Sequence, residues 1–132
     1  MSEFIDLAVI GAGPAGLAAA TTASEHGLSV ALLDEQSAPG GQIYRNIEGV
    51  DKAALGKTLG EDYLKGGAIT EAFRKSSADY RPGATVWRVD PDGSLAWTDG
   101  TKSRILKARR IISATGAIER PVPIPGWTLP GV

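Results

Sequence analysis

The stretch that decides the fold is Ile5-Asp6-Leu7-Ala8-Val9-Ile10-Gly11-Ala12-Gly13-Pro14-Ala15-Gly16. Residues 5–10 form an apolar run interrupted only by Asp6, which is the pattern of a short buried strand. Gly11, Gly13 and Gly16 follow at once, with Pro14 between them. Leu17 to Ser24 is then a run of small residues, and Ala15, Ala18, Ala19, Ala20 and Ala23 favour helix. Gly27 is a natural helix stop. A second apolar run, Val30-Ala31-Leu32-Leu33, ends at Asp34-Glu35. The predicted order is strand 5–10, glycine turn, helix 14–26, strand 29–33, acid.

Each part of that order has a physical use. Gly11 lets the chain turn sharply off the strand. Gly13 has no side chain, so backbone can approach a diphosphate. Gly16 lets the helix lie close to the sheet. Pro14 suits the first helical turn, where its missing N–H costs nothing. Free N–H groups at the helix start, with the positive end of its dipole, attract phosphate. An acid after the second strand accepts ribose hydroxyls. Asp34 lies 18 residues beyond Gly16 and Glu35 lies 19 beyond it, against an expected spacing of about 20. Asp34 is preferred because it directly follows the apolar run. Together these features predict a dinucleotide-binding βαβ unit. The acid favours a free ribose hydroxyl, as in FAD or NAD, over the 2′-phosphate of NADP.

The 132 residues suffice for one domain with a real core. Net charge is −1, so no basic field argues for nucleic acid or an anionic membrane. Cysteine is absent and His26 is the lone histidine, which removes disulfides, thiolate metal sites and dithiol chemistry within these residues. No metal site is expected. The start of the chain shows neither a signal peptide nor a membrane span, and the cytoplasm is the default location.

Outward from the βαβ unit, residues 36–45 form a loop containing Gly40-Gly41. Close approach to a ligand and a plain flexible turn both fit that loop. Leu64, Ala68 and Ala72, with Ile69 and Phe73, recur at helical spacing and predict a helix over 61–76, weakened by Gly66-Gly67. No chemistry is assigned to Tyr63, Arg74 or Lys75. Arg81-Pro82-Gly83 reads as a turn. Strands 85–89, 94–98 and 101–106, joined at Asp90-Pro91-Asp92-Gly93 and Asp99-Gly100, predict an antiparallel meander outside the parallel sheet. Trp87 and Trp97 read as packing residues. Residues 109–116 read as a final strand and its exit, with Arg109 and Arg110 solvated. The segment 118–132 is a stiff, proline-rich exit.

As a set, Val9 to Gly16, Leu33-Asp34-Glu35, Pro39 to Arg45 and Ser113 to Ala117 resemble the FAD/NAD(P) oxidoreductases built on two dinucleotide domains. Gly41-Gln42-Ile43-Tyr44-Arg45 and the run from Glu119 to Val132 narrow the resemblance. They look like the flavin subunits of heteromeric amine and amino-acid dehydrogenases, the group of opine oxidase, hydrogen cyanide synthase, hydroxyproline dehydrogenase and sarcosine oxidase. The resemblance implies an α/β, Rossmann-like FAD-binding domain, incomplete here: a parallel sheet with a helix layer and an antiparallel meander. It implies that Gly11, Gly13, Pro14, Ala15 and Gly16 line the diphosphate. Asp34 or Glu35 would bind the adenosine ribose, and Gly41 and Gln42 would approach the flavin side. Val86 would lie along the adenine, and Thr115, Gly116 and Ala117 would close over the cofactor. The implied partners are the other subunits of such a dehydrogenase.

Two departures from that group bear on function. No thiol stands in Gln42 to Arg45, where disulfide reductases of the glutathione-reductase type carry a redox pair. Members of the group also continue into a nicotinamide-binding domain, so NAD(P) is expected only through a part absent here. Residues 1–132 are therefore read as the N-terminal portion of an FAD domain, in an oxidoreductase acting on an amine or amino acid. No catalytic side chain is named. A stand-alone NAD-binding dehydrogenase domain and a non-catalytic flavoprotein remnant or interaction module are the competing readings. The expected outcome is weak or absent FAD binding by these residues alone. A stoichiometric flavin spectrum that survives gel filtration contradicts it.

Overall fold

The computed structural model describes residues 3–49, 51, 58, 60–118, 120, 123, 125, 126, 128 and 129. The elements are β1 (Glu3–Ile10), α1 (Pro14–Glu25), β2 (Val30–Asp34), α2 (Glu61–Lys75), β3 (Asp79–Pro82), β4 (Thr85–Val89), β5 (Ser94–Thr98) and β6 (Ser103–Ser113). They build one six-stranded sheet in the order β3-β2-β1-β6-β5-β4. The strands β3, β2, β1 and β6 run parallel, and β5 and β4 continue antiparallel from β6. The α/β expectation is met.

The sheet has a core on each face, and β2 shows why. All five of its residues are buried. Val30 and Leu32 face Leu7, Val9, Leu17, Ala20 and Phe73 on the helix side. Ala31 and Leu33 face Ile5, Leu95, Trp97, Leu106 and Ala108 on the other. A parallel strand covered on both faces reads as an unbroken apolar run, as Val30 to Leu33 does.

Three expectations need correction. The meander is not outside the parallel sheet. Its return strand and the final strand are one strand, β6, which pairs antiparallel with β5 through Ser103 to Lys107 and parallel with β1 through Leu106 to Ser113. The polar run Lys107-Ala108-Arg109-Arg110 suggests a break, but Arg109 and Arg110 stay exposed while Ala108 alone enters the core. Secondly, Arg81 and Pro82 are strand, paired with Leu33 and Asp34 of β2, and only Gly83 turns. Proline is tolerated because β3 is the sheet edge. Thirdly, Trp87 is 57% exposed, beside a register shift in β4, whereas Trp97 is in the core. Arg81 and Arg104 both lie over the Trp97 ring, at 5.4 and 5.0 Å.

The second helix holds the loop that follows β2. Tyr63 donates its hydroxyl to the Arg45 carbonyl at 2.7 Å. Arg74 makes a two-point ion pair with Glu48 at 2.8 and 2.9 Å, which holds that carboxyl below its ordinary range. Ile47 is 1% exposed beneath them. Gly66 has its explanation here, because a Cβ on it would collide with the Tyr44 ring. Gly66→Ala should therefore lower stability although it raises helix propensity by about 1 kcal/mol. Displacing Tyr44 costs about 1–3 kcal/mol. A raised urea midpoint for this variant contradicts the contact.

Candidate functional site

The site forms where the strand order reverses. From β1 the chain moves one way to β2 and β3, and β6 returns on the opposite side of β1. In such sheets ligands enter at the carboxyl ends of the strands at that reversal. Gly11 sits there. Its N–H donates to the Leu33 carbonyl at 2.8 Å, and Ala114 N–H donates to the Ile10 carbonyl at 2.8 Å. The turn is thus tied to the ends of β2 and β6.

From this turn α1 starts without a cap. Gly13 is its N-cap residue, Pro14 is in the first turn, and no side chain caps the helix or places an acid in that turn. Helix geometry leaves the first N–H groups without intrahelical partners. The start of the helix is pressed onto the turn, since a Cβ on Gly16 would run into the Gly11 carbonyl. A Cβ on Gly13 would instead meet nothing closer than Gly41 Cα at 4.0 Å.

The loop 36–45 roofs this corner. Gly40 N–H donates to the Ala12 carbonyl at 2.8 Å. Gly41 has φ +63°, and a Cβ there would lie 2.8 Å from Gly13 Cα. Positive φ and backbone contact both demand glycine at this position. The close approach seen in the loop is to the protein's own turn, at Ala12 and Gly13. Gln42 projects exposed beside it.

The two acids part company. Asp34 is 9% exposed, and its Oδ1 accepts the Gln36 N–H at 2.6 Å while its Oδ2 accepts the Ala12 N–H. Glu35 is exposed. Its place directly after the apolar run prefers Asp34, and the structure engages both of its oxygens with backbone N–H groups. Thr115, Gly116 and Ala117 follow β6 in exposed backbone, and Thr115 adjoins Gly11. Val86 lies in β4, half-buried against the Leu33 and Leu95 core. The structure therefore gathers residues 11–16, 34–36, 40–41 and 114–115 at one corner. A groove of about 410 Å³ between Leu28 and Ile112 is lined by none of the predicted site residues.

Residues 5–131 match the family model described as pyridine nucleotide-disulphide oxidoreductase. An opine oxidase subunit from Agrobacterium tumefaciens (strain Ach5) is 47% identical, over 100% of this chain and 28% of its own length. Hydrogen cyanide synthase subunit HcnB of Pseudomonas protegens is 34% identical, over 94% of this chain and 27% of its own. Among solved structures, L-proline dehydrogenase from P. horikoshii superposes with a TM-score of 0.68 at 26% identity, covering 92% of this chain and 25% of that one. The chain thus spans little more than a quarter of the length of these relatives. No helix among the described residues is long and apolar enough to cross a membrane.

The packing of α1 onto its turn yields a contrast. Gly16→Ala should cost about 2–4 kcal/mol of stability, since backbone must move. Gly27→Ala, with nothing within 4 Å, carries only the left-handed penalty of about 1 kcal/mol. Equal urea midpoints for the two variants contradict the close packing.

Proposed function

This chain belongs to the pyridine nucleotide-disulphide oxidoreductase family, and from that premise we propose that it is the N-terminal FAD-binding part of a flavin-dependent oxidoreductase acting on an amine or amino acid. The observation that carries the reading is the uncapped start of α1 at Gly13, open in front and roofed by Gly40 and Gly41. A diphosphate fits there: the space a Gly13 side chain would fill is clear, and no acid in the first helical turn repels it. The absence of cysteine removes dithiol chemistry from these residues, whatever the family's description.

In this reading the backbone around Gly11, Gly13, Pro14, Ala15 and Gly16 holds the diphosphate. Asp34 or Glu35 takes the ribose hydroxyls: each Asp34 oxygen accepts one backbone N–H and keeps acceptor capacity for a hydroxyl. Gly41 and Gln42 border the flavin side, Val86 the adenine, and Thr115, Gly116 and Ala117 the outer edge. When bound, the flavin supplies hydride acceptance from the substrate carbon. The protein's part is to bind, orient and shield, and no acid or base is assigned among its side chains. NAD(P) would require the nicotinamide-binding domain that the resemblance implies. The opine oxidase and hydrogen cyanide synthase relatives are each one component of a larger enzyme by name, which supports a heteromeric partner here. The proposed location is the cytoplasm.

Titration with FAD, ADP-ribose and NAD, followed by amide chemical shifts, tests the cofactor. Binding by these residues alone is expected to be weak, but tighter for FAD than for NAD, with shifts centred on Gly13, Ala15 and Gly41. Tighter binding of NAD than of FAD overturns the flavin assignment.

A further inference from the structure

The loop over the start of α1 is held in place from its far side. Gly40 N–H reaches the Ala12 carbonyl, and Gly41 lies against Gly13. Next along the chain, Gln42 and Ile43 are exposed and pack on nothing that would fix them. A glycine pair followed by exposed residues loses backbone entropy when it is kept in one place. The order comes from the turns that follow. Tyr44 N–H donates to the Gly40 carbonyl at 3.2 Å, and Ile47 N–H donates to the Tyr44 carbonyl at 3.1 Å. Gly40 is thus tied to Tyr44, and Tyr44 to the buried Ile47.

That tied segment is gripped by α2 at both ends of the helix. In the first turn, Tyr63 donates its hydroxyl to the Arg45 carbonyl and meets the Tyr44 ring edge-on, with centroids 6.5 Å apart. In the last turn, Arg74 takes the Glu48 carboxylate on two nitrogens. Its guanidinium also lies 5.0 Å over the Tyr80 ring, which limits how far it can swing. Eleven residues of helix separate Tyr63 from Arg74, a span of about 16 Å. Two holds that far apart stop the loop from pivoting about either one.

Resting on the flavin-site reading above, we propose that Tyr63, Arg74 and Glu48 are positioning residues for nucleotide binding, which seat Gly40 and Gly41 over the open end of α1. They touch no ligand in this reading. They act by raising the fraction of chains whose loop is seated, and a ligand that needs the seated loop binds in proportion to that fraction.

The first test needs no ligand and follows exchange of the Gly40 and Tyr44 amides. Glu48→Lys sets a cation against Arg74, and Tyr63→Phe removes the hydroxyl donor. Each should speed both amides about fivefold. Adding Arg74→Glu to Glu48→Lys should bring the rates back to within about twofold of wild type. Arg104→Gln, which breaks the ion pair with Asp99 at a hairpin tip, should leave them unchanged and controls for lost stability. Wild-type rates at Gly40 in the loop variants overturn the proposal, as does an equal rise in Arg104→Gln or a failure of Arg74→Glu to restore them. Tyr63→Phe decides the matter if Glu48→Lys does not fold.

The second test titrates ADP. Glu48→Lys combined with Tyr63→Phe should weaken it about tenfold, while Arg104→Gln keeps the wild-type affinity. Unchanged ADP affinity in a combined variant whose Gly40 exchange is fast overturns the proposal. If ADP shifts no wild-type amide, the flavin-site reading fails and the binding role falls with it, while exchange at Gly40 still decides whether α2 seats the loop.

Discussion

The structure depends on the contact between the first turn of α1 and the peptide it has just left. The start of the helix lies against the Gly11 carbonyl, at a distance only an absent side chain permits. That contact directs the open end of the helix at the carboxyl edge of the sheet. It also sets α1 against β1 and β2, where Leu17 and Ala20 are fully buried. The same small residues thus serve the core and the open end of the helix.

Around this contact, two aspartates hold β1 and β2 together at opposite ends. At the lower end, Asp6 accepts the Ser29 N–H at 3.0 Å and the Ser29 hydroxyl at 2.7 Å. Those bonds hold the Asp6 carboxyl below its ordinary range. At the upper end, Asp34 reaches across to Ala12. Between them the apolar ladder from Leu7–Val30 to Ile10–Leu33 makes the hydrophobic contribution. The second helix steadies the loop that roofs the corner through three separate contacts, at Tyr44, Arg45 and Glu48. Burial, with the Asp34 charge adding to it, pushes the Tyr80 hydroxyl behind this loop up to about 12.

Much of this was legible in the residues. The βαβ unit follows from an apolar run, a glycine turn and an alanine-rich helix, each a local signal with its own period. The predicted helices end within one residue of those observed. What escaped was non-local. β3 is short and polar, and only pairing with β2 makes it a strand. The continuity of β6 was hidden because Arg109 and Arg110 stand exposed in mid-strand. Spacing alone could not separate Asp34 from Glu35, since one residue changes which side of the backbone an acid occupies. The use of Asp34 by Ala12 is visible only when the turn and the strand end are placed together.

Because β6 is one uninterrupted strand, it imposes a rule on how chains of this design can vary in length. Adding or removing a single residue between Ser103 and Ser113 would exchange the inward and outward sides of everything beyond it. It would also carry Ala114 out of step with Gly11. Length changes can be absorbed at the hairpin tips, around Asp90 to Gly93 and Asp99 to Lys102, where the chain is mostly exposed. Insertions and deletions among homologous chains should collect at those two tips and spare the strand that ends beside the glycine turn.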